Sequence, residues 1–149
     1  MLIAHLPSGY LLARGAGWRM AACLAGAVFP DLDMIRFWLE GGRIHHHAYF
    51  THLPAFWAGV SLVALVVLRG ARLGWALAFL AGVWLHLCLD TVAGDVMWLW
   101  PWSDRMIHLA EVPATYDSWV ISFVLHWTFL LELGITAAAA GLFLRHRKT

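Results

Sequence analysis

The sequence predicts an all-α polytopic membrane protein, a single domain over 1–149 built as a bundle of about four spans, and three observations carry that expectation. The 149 residues are 62% hydrophobic and 13% charged with a mean hydropathy of +0.71, and a water-soluble globule of this size cannot be covered from so small a polar complement. The apolar residues gather in four stretches, 10–29, 53–68, 73–100 and 119–144. Only helices and closed barrels satisfy their backbone in lipid, and stretches of this length are helices. Four spans of about 20 residues each leave room for short connections and for no separate soluble domain.

The first stretch is interrupted by Arg14, Gly15, Gly17 and Arg19, so it reads either as one poor span or as a broken hairpin of two short helices turned at 15–17. The second and third stretches are joined by the short connection 69–72, and 101–118 leads into the fourth, where Ala137 to Ala140 are strong helix formers. Residues 1–9 show no basic lead before an apolar core and carry Pro7 and Ser8 early. A removable signal peptide is not expected there, and the mature chain is expected to begin near Met1.

Ten Lys and Arg against nine Asp and Glu give a formal charge of +1, which leaves no surplus to hold a nucleic-acid backbone. Nucleic acid is therefore excluded as a partner. Cys23 and Cys88 lie in apolar runs and read as free thiols. Any metal would be held by nitrogen and oxygen.

Arg69, Arg72, Arg145, Arg147 and Lys148 fall on one side of the predicted spans. The other side has Arg36, Arg43 and Arg105, diluted by Asp31, Asp33, Glu40, Asp104, Glu111 and Asp117. The first side is the cytoplasmic one by the distribution of basic residues, which places 30–52 and 101–118 outside. Trp98, Trp100, Trp102 and Trp119 mark the same outer boundary.

Nine histidines are many for so apolar a chain. His86 and Asp90, four apart on the third span, share one helix face about 6 Å apart along the axis. They suit a shared metal, or a His–Asp hydrogen bond that fixes helix packing, and intramembrane ionisable residues favour the functional reading. The segments Pro30-Asp31-Leu32-Asp33 and His45 to His52 fall at the same outer end. Imidazole and carboxylate without thiolate suit zinc or another transition ion over calcium or magnesium. Consecutive residues of a helix point apart, so only one or two of His45, His46 and His47 can face such a site.

These residues resemble the YdjM-like inner-membrane metal-dependent hydrolases, whose members carry an early His, Pro-Asp-x-Asp, His-x-x-x-Thr-His and a Gly-x-x-x-His-x-x-x-Asp helix followed by a Trp-Pro turn. Here these are His5, Pro30 to Asp33, His47 to His52, Gly82 to Asp90, and Trp100-Pro101, in matching order over about 100 residues. The Arg and Gly that the family places after the first histidine of the His-x-x-x-Thr-His element are replaced by Ala48 and Tyr49, and Leu53 stands where Ser is usual. A distant likeness to zinc phospholipase C and the P1-type nucleases is also implied, but this chain lacks their late His-x-x-x-Glu helix, so a full trinuclear site is not expected.

The resemblance implies a membrane-embedded, divalent-metal-dependent hydrolase of the inner membrane, with zinc as the expected ion and a lipid or lipid-linked phosphoester as substrate. His5, Asp31, His47, His52, His86 and Asp90 are then metal ligands, with Asp33 a further candidate. One of the carboxylates Asp31, Asp33 and Asp90 serves instead as general base. Thr51 supports a ligand through its hydroxyl. His5 can join the outer cluster only if the first stretch is a hairpin, which the resemblance favours.

His46 is an accessory candidate. His126 and Glu132 either complete the metal shell, hydrogen-bond to it or bridge helices, and Arg105 is a phosphate clamp or a plain interfacial arginine. A hydrolytic site is expected to open toward Trp100, Trp102 and Arg105. A structural metal protein would instead close its shell, and a transporter would need polar residues through the inner halves of the spans, which are almost wholly apolar here.

Overall fold

The computed structural model describes residues 1, 3–39, 41 and 46–147, with His46 described by its backbone alone. His45, Arg43, Glu40, Lys148 and the side chain of His46, which entered the sequence reading, lie outside the described residues. The regular elements among the described residues are helices: α1 (His5–Ala16), α2 (Met20–Val28), α3 (Asp33–Leu39), α4 (Pro54–Val67), α5 (Gly70–Ala93), α6 (Trp119–Val124) and α7 (Phe129–His146). Short 3-10 turns occupy Pro30–Leu32, His46–Ala48 and Phe50–His52. Two helices, α5 and α7, are long and apolar enough to cross a membrane, and α4 is a shorter apolar helix.

The first apolar stretch is a hairpin. Gly17 sits at φ 65°, in the left-handed region where a β-carbon is penalised, and its amide closes α1 on the Ala13 carbonyl. α2 then runs back along α1, with Gly9 against Cys23 and Ala27. The arginines that interrupt this stretch stay out of the hairpin's interior. Arg14 lies in the last turn of α1, and Arg19, ahead of α2, stacks over the Trp75 ring at 4.9 Å, level with the first turns of α5. Arg69 and Arg72 flank the start of α5, and Arg145 lies in the last turn of α7 with Arg147 just after it, so these basic residues share one end of the bundle.

Two glycines set how closely α2 and α5 cross. A β-carbon on Gly26 would overlap the Phe79 carbonyl, and one on Gly82 would overlap the Cys23 carbonyl and the Ala27 amide nitrogen. Small residues at a helix crossing let the backbones touch, which in lipid supplies packing that the hydrophobic effect does not. On the other side of α5, Trp57 and Ala64 of α4 pack with Leu80, Val83 and Leu87. Leu62, Val63, Val66 and Val67 of α4 and Leu130, Leu133 and Leu144 of α7 remain exposed, as they would be against acyl chains.

Two expected elements differ from the structure. The third stretch does not stay helical to Trp100, because α5 ends at Ala93, where extended Gly94 takes over. Residues 94–118 fold back over the helix end, with a single bridge between Val96 and Ile107. The Leu109 and Ala110 amides bond the Thr91 and Val92 carbonyls, satisfying acceptors that a helix end leaves open. The fourth stretch is likewise not one helix. It breaks between Val124 and Phe129, where tight turns run from Phe123 to Leu130 and the His126 ring bonds the Thr128 hydroxyl at 2.9 Å.

Candidate metal centre

α1 begins with His5, and the Pro30–Leu32 turn after α2 carries Asp31. The Phe50–His52 turn is pinned by Trp57, whose indole N–H bonds the Thr51 carbonyl at 2.8 Å, and this sets His52 at the head of α4. On α5, Gly82, His86 and Asp90 recur every fourth residue and so share one face. Gly82 admits α2, His86 meets the backbone of α2, and Asp90 enters the cluster.

Two groups of potential ligands result. One is His5, Asp31, His86 and Asp90; the other is His47, His52 and Asp90. Asp90 belongs to both. Its Oδ2 lies 3.0 Å from His86 Nε2, 3.5 Å from His52 Nε2 and 3.6 Å from His47 Nε2. Its Oδ1 lies 3.1 Å from His5 Nε2 and 2.5 Å from the Met1 ammonium. Asp31 Oδ1 stands 3.6 Å from His86 Nε2 and 3.9 Å from His52 Nε2. All of these side chains are buried except Asp31, which is 39% exposed and forms the open edge of the cluster.

The tautomers decide what the cluster can hold. His86 Nδ1–H donates to the Ala27 carbonyl at 2.8 Å, and His52 Nδ1–H donates to the Asp33 carboxylate at 2.7 Å. With Nδ1 so engaged in each ring, the two Nε2 atoms are turned into the cluster and lie 3.3 Å apart. Asp90 Oδ2 is buried with no hydrogen-bond partner among the described residues, and so is His5 Nδ1. The Met1 ammonium meets Asp90 Oδ1, and the remaining lone pairs gathered around Asp90 Oδ2 suit a further cation, whether a proton or a metal. Burial would lower the His52 pKa, but the hydrogen bonds and charges of Asp33 and Asp90 outweigh it and carry it up to about 9. The donor set fits a divalent ion of the zinc type.

Asp33 faces away from these nitrogens. Its Oδ2 accepts both the His52 N–H and the Thr51 hydroxyl, so Thr51 braces Asp33, and Asp33 orients His52. His47 is prepared differently. Its Nδ1 accepts the Asp95 amide at 3.3 Å, which leaves the proton on Nε2, so binding a metal through that nitrogen requires the long Asp95 contact to give way.

Three other candidates stand outside both groups. His126 bonds Thr128 in the break before α7, and Arg105 is exposed on the 94–118 loop. Glu132 is fully buried near the start of α7 and accepts the amides of Ile3 and Ala4. Sequence reading missed the Ala27 carbonyl, which carries no residue-type signal. It also missed the exposed pair in which His108 Nδ1–H donates to Asp95 at 2.7 Å, because the two are 13 positions apart in irregular chain and are joined only by the loop's fold.

Comparisons with known proteins agree with the motif reading. Inner membrane protein YbcI of Escherichia coli (strain K12) is 35% identical over 92 residues, covering 53% of this chain and 51% of the relative. The match spans about half the length of that curated relative. No solved structure matches. The family model for the YdjM inner membrane protein matches residues 1–146, and with His5, the Pro-Asp-x-Asp turn, the Thr51-His52 turn and the Gly82-His86-Asp90 face meeting at one end of the bundle, the chain belongs to the YdjM inner membrane protein family.

Proposed function

We propose that this chain is a membrane-embedded, metal-dependent hydrolase of a lipid or lipid-linked phosphoester, with its site at the outer face of the inner membrane. The observation that carries the reading is the convergence of His52 Nε2 and His86 Nε2, 3.3 Å apart, on Asp90 Oδ2, with Nδ1 of both rings already engaged. His52, His86, Asp90, Asp31 and His5 would hold zinc or a similar ion, His47 would join them, and the sharing of Asp90 suits a pair of ions. A bound ion of this kind activates water at neutral pH and polarises the scissile phosphoester.

The chain's own residues supply the rest. Ala27 and Asp33 engage Nδ1 of the two rings and so direct Nε2 of each into the cluster. Asp31, half-exposed at the open edge, would hold the ion on the side from which water enters the cluster. Leu32 and Ile35, exposed beside Asp31, offer apolar surface to a lipid whose headgroup reaches that edge. Exposure of Asp31 also favours an open site over a closed structural one. In this reading the α1–α2 hairpin and α4 complete the bundle beside α5 and α7, and the arginine-rich end faces the cytoplasm.

Detergent-purified protein is expected to contain stoichiometric metal and to cleave a member of a panel of phospholipid and isoprenoid phosphoesters, with loss of cleavage on chelation and in His52→Ala. Metal held with no water ligand and no cleavage of any member would make it a structural metal protein.

A further inference from the structure

Glu132 sits 0% exposed in the first turn of α7, and a buried carboxylate persists only where donors meet it. Those donors include the backbone N–H groups of Ile3 and Ala4, the latter at 2.9 Å. Both amides belong to the turn that opens α1, where a helix's own ladder leaves N–H groups unpaired. The residue capping α1 is Ala4, which has no side-chain acceptor to offer them. α1 is thus capped from a different helix, almost the whole chain away, by a carboxylate whose charge suits a helix N-terminus.

The next residue is His5. Its ring is stacked on His86, with centroids 3.8 Å apart and planes at 18°, and its Nε2 is 3.1 Å from Asp90 Oδ1. Glu132 belongs to neither potential ligand group. We propose that Glu132 is a positioning residue: it holds the Ile3–Ala4 turn so that His5 stays seated against His86 and Asp90, and it thereby ties α7 to the metal centre. The assignment rests on the metal-site reading above and adds to it a residue that touches no ion.

The test uses the full chain in detergent, with Co2+ alone as the probe, reading affinity and the visible absorption spectrum. Wild type is expected to bind cobalt. Glu132→Ala should weaken binding by about tenfold, the usual effect of losing a group that orients a ligand, and should shift the spectrum. Glu132→Gln keeps a carbonyl acceptor and should restore most of both. In a His5→Ala background, Glu132→Ala should cause no further change, which a merely structural role would not produce.

A folded Glu132→Ala protein with wild-type affinity and spectrum overturns the proposal, as does an equal loss with or without His5. If Glu132→Ala does not fold, Glu132→Asp, which withdraws the carboxylate by one methylene, must shift the spectrum while Glu132→Gln does not, and an unshifted spectrum overturns the proposal. Wild type that binds no cobalt would overturn the metal reading itself, a result distinct from the others.

Discussion

Asp90 serves both ligand groups, whereas His47 enters only one and does so with its proton on Nε2. The expected order of effects follows from that difference. Asp90→Ala should abolish stoichiometric metal binding, and His52→Ala should come close to doing so. His47→Ala should cost markedly less, on the order of tenfold in affinity. Metal analysis of folded, detergent-purified variants checks the order, and retention of metal by Asp90→Ala would remove the shared-ligand account. The same residues set a pH dependence. The carboxylates of Asp33 and Asp90 raise the His52 pKa to about 9, and an ion needs the neutral ring. Apparent cobalt affinity should therefore rise with pH, by up to tenfold per unit, and level off near 9; a flat profile would contradict it. Much of this was legible in the sequence, because the four-residue spacing of His86 and Asp90 fixes a shared helix face. The orienting partners were less legible, since Ala27 acts through its carbonyl and Asp33 through a fold-dependent approach to His52.

At the level of elements, the site depends on how closely α2 and α5 cross. Gly82→Ala or Gly26→Ala should destabilise the protein by ~1–3 kcal/mol through overpacking, and should also loosen metal binding, because the Ala27 carbonyl that orients His86 lies at that crossing. Gly134→Ala on α7, where a β-carbon meets nothing within 4 Å, should be neutral or gain up to about 1 kcal/mol. Thermal unfolding in detergent compares the three, and equal midpoints would refute the crossing argument. The Gly-x-x-x-His-x-x-x-Asp pattern thus reads as one physical unit: an approach site, an oriented ring and a carboxylate on successive turns. Hydropathy marked the helices but not the ends at Ala93 and Val124, because apolar residues continue past both breaks. The hairpin at Gly17 was one of two readings, and a single sequence does not show the packing against α5 that accommodates Arg19.

For the whole molecule, the His/Asp cluster and the arginines lie at opposite ends of the helices, the polarity expected when the basic end stays in the cytoplasm. A cysteine at exposed Asp104, in a chain with Cys23 and Cys88 replaced by alanine, should react with an impermeant thiol reagent from outside the cell, and one at exposed Arg72 should not. These positions avoid Gly41 and Gly70, whose φ of 70° and 55° would strain any side chain. Reversed labelling would move the site to the cytoplasmic face and leave its ligands intact. The central claim, a metal centre in which Asp90 joins the His5–Asp31–His86 and His47–His52 groups, is tested most directly by anomalous diffraction at the zinc edge from crystals grown with Zn2+. The account predicts a peak about 2.0–2.1 Å from His86 Nε2 or His52 Nε2, or one at each, with Asp90 also in contact. Crystals that show zinc elsewhere and none at either of those two nitrogens would contradict it.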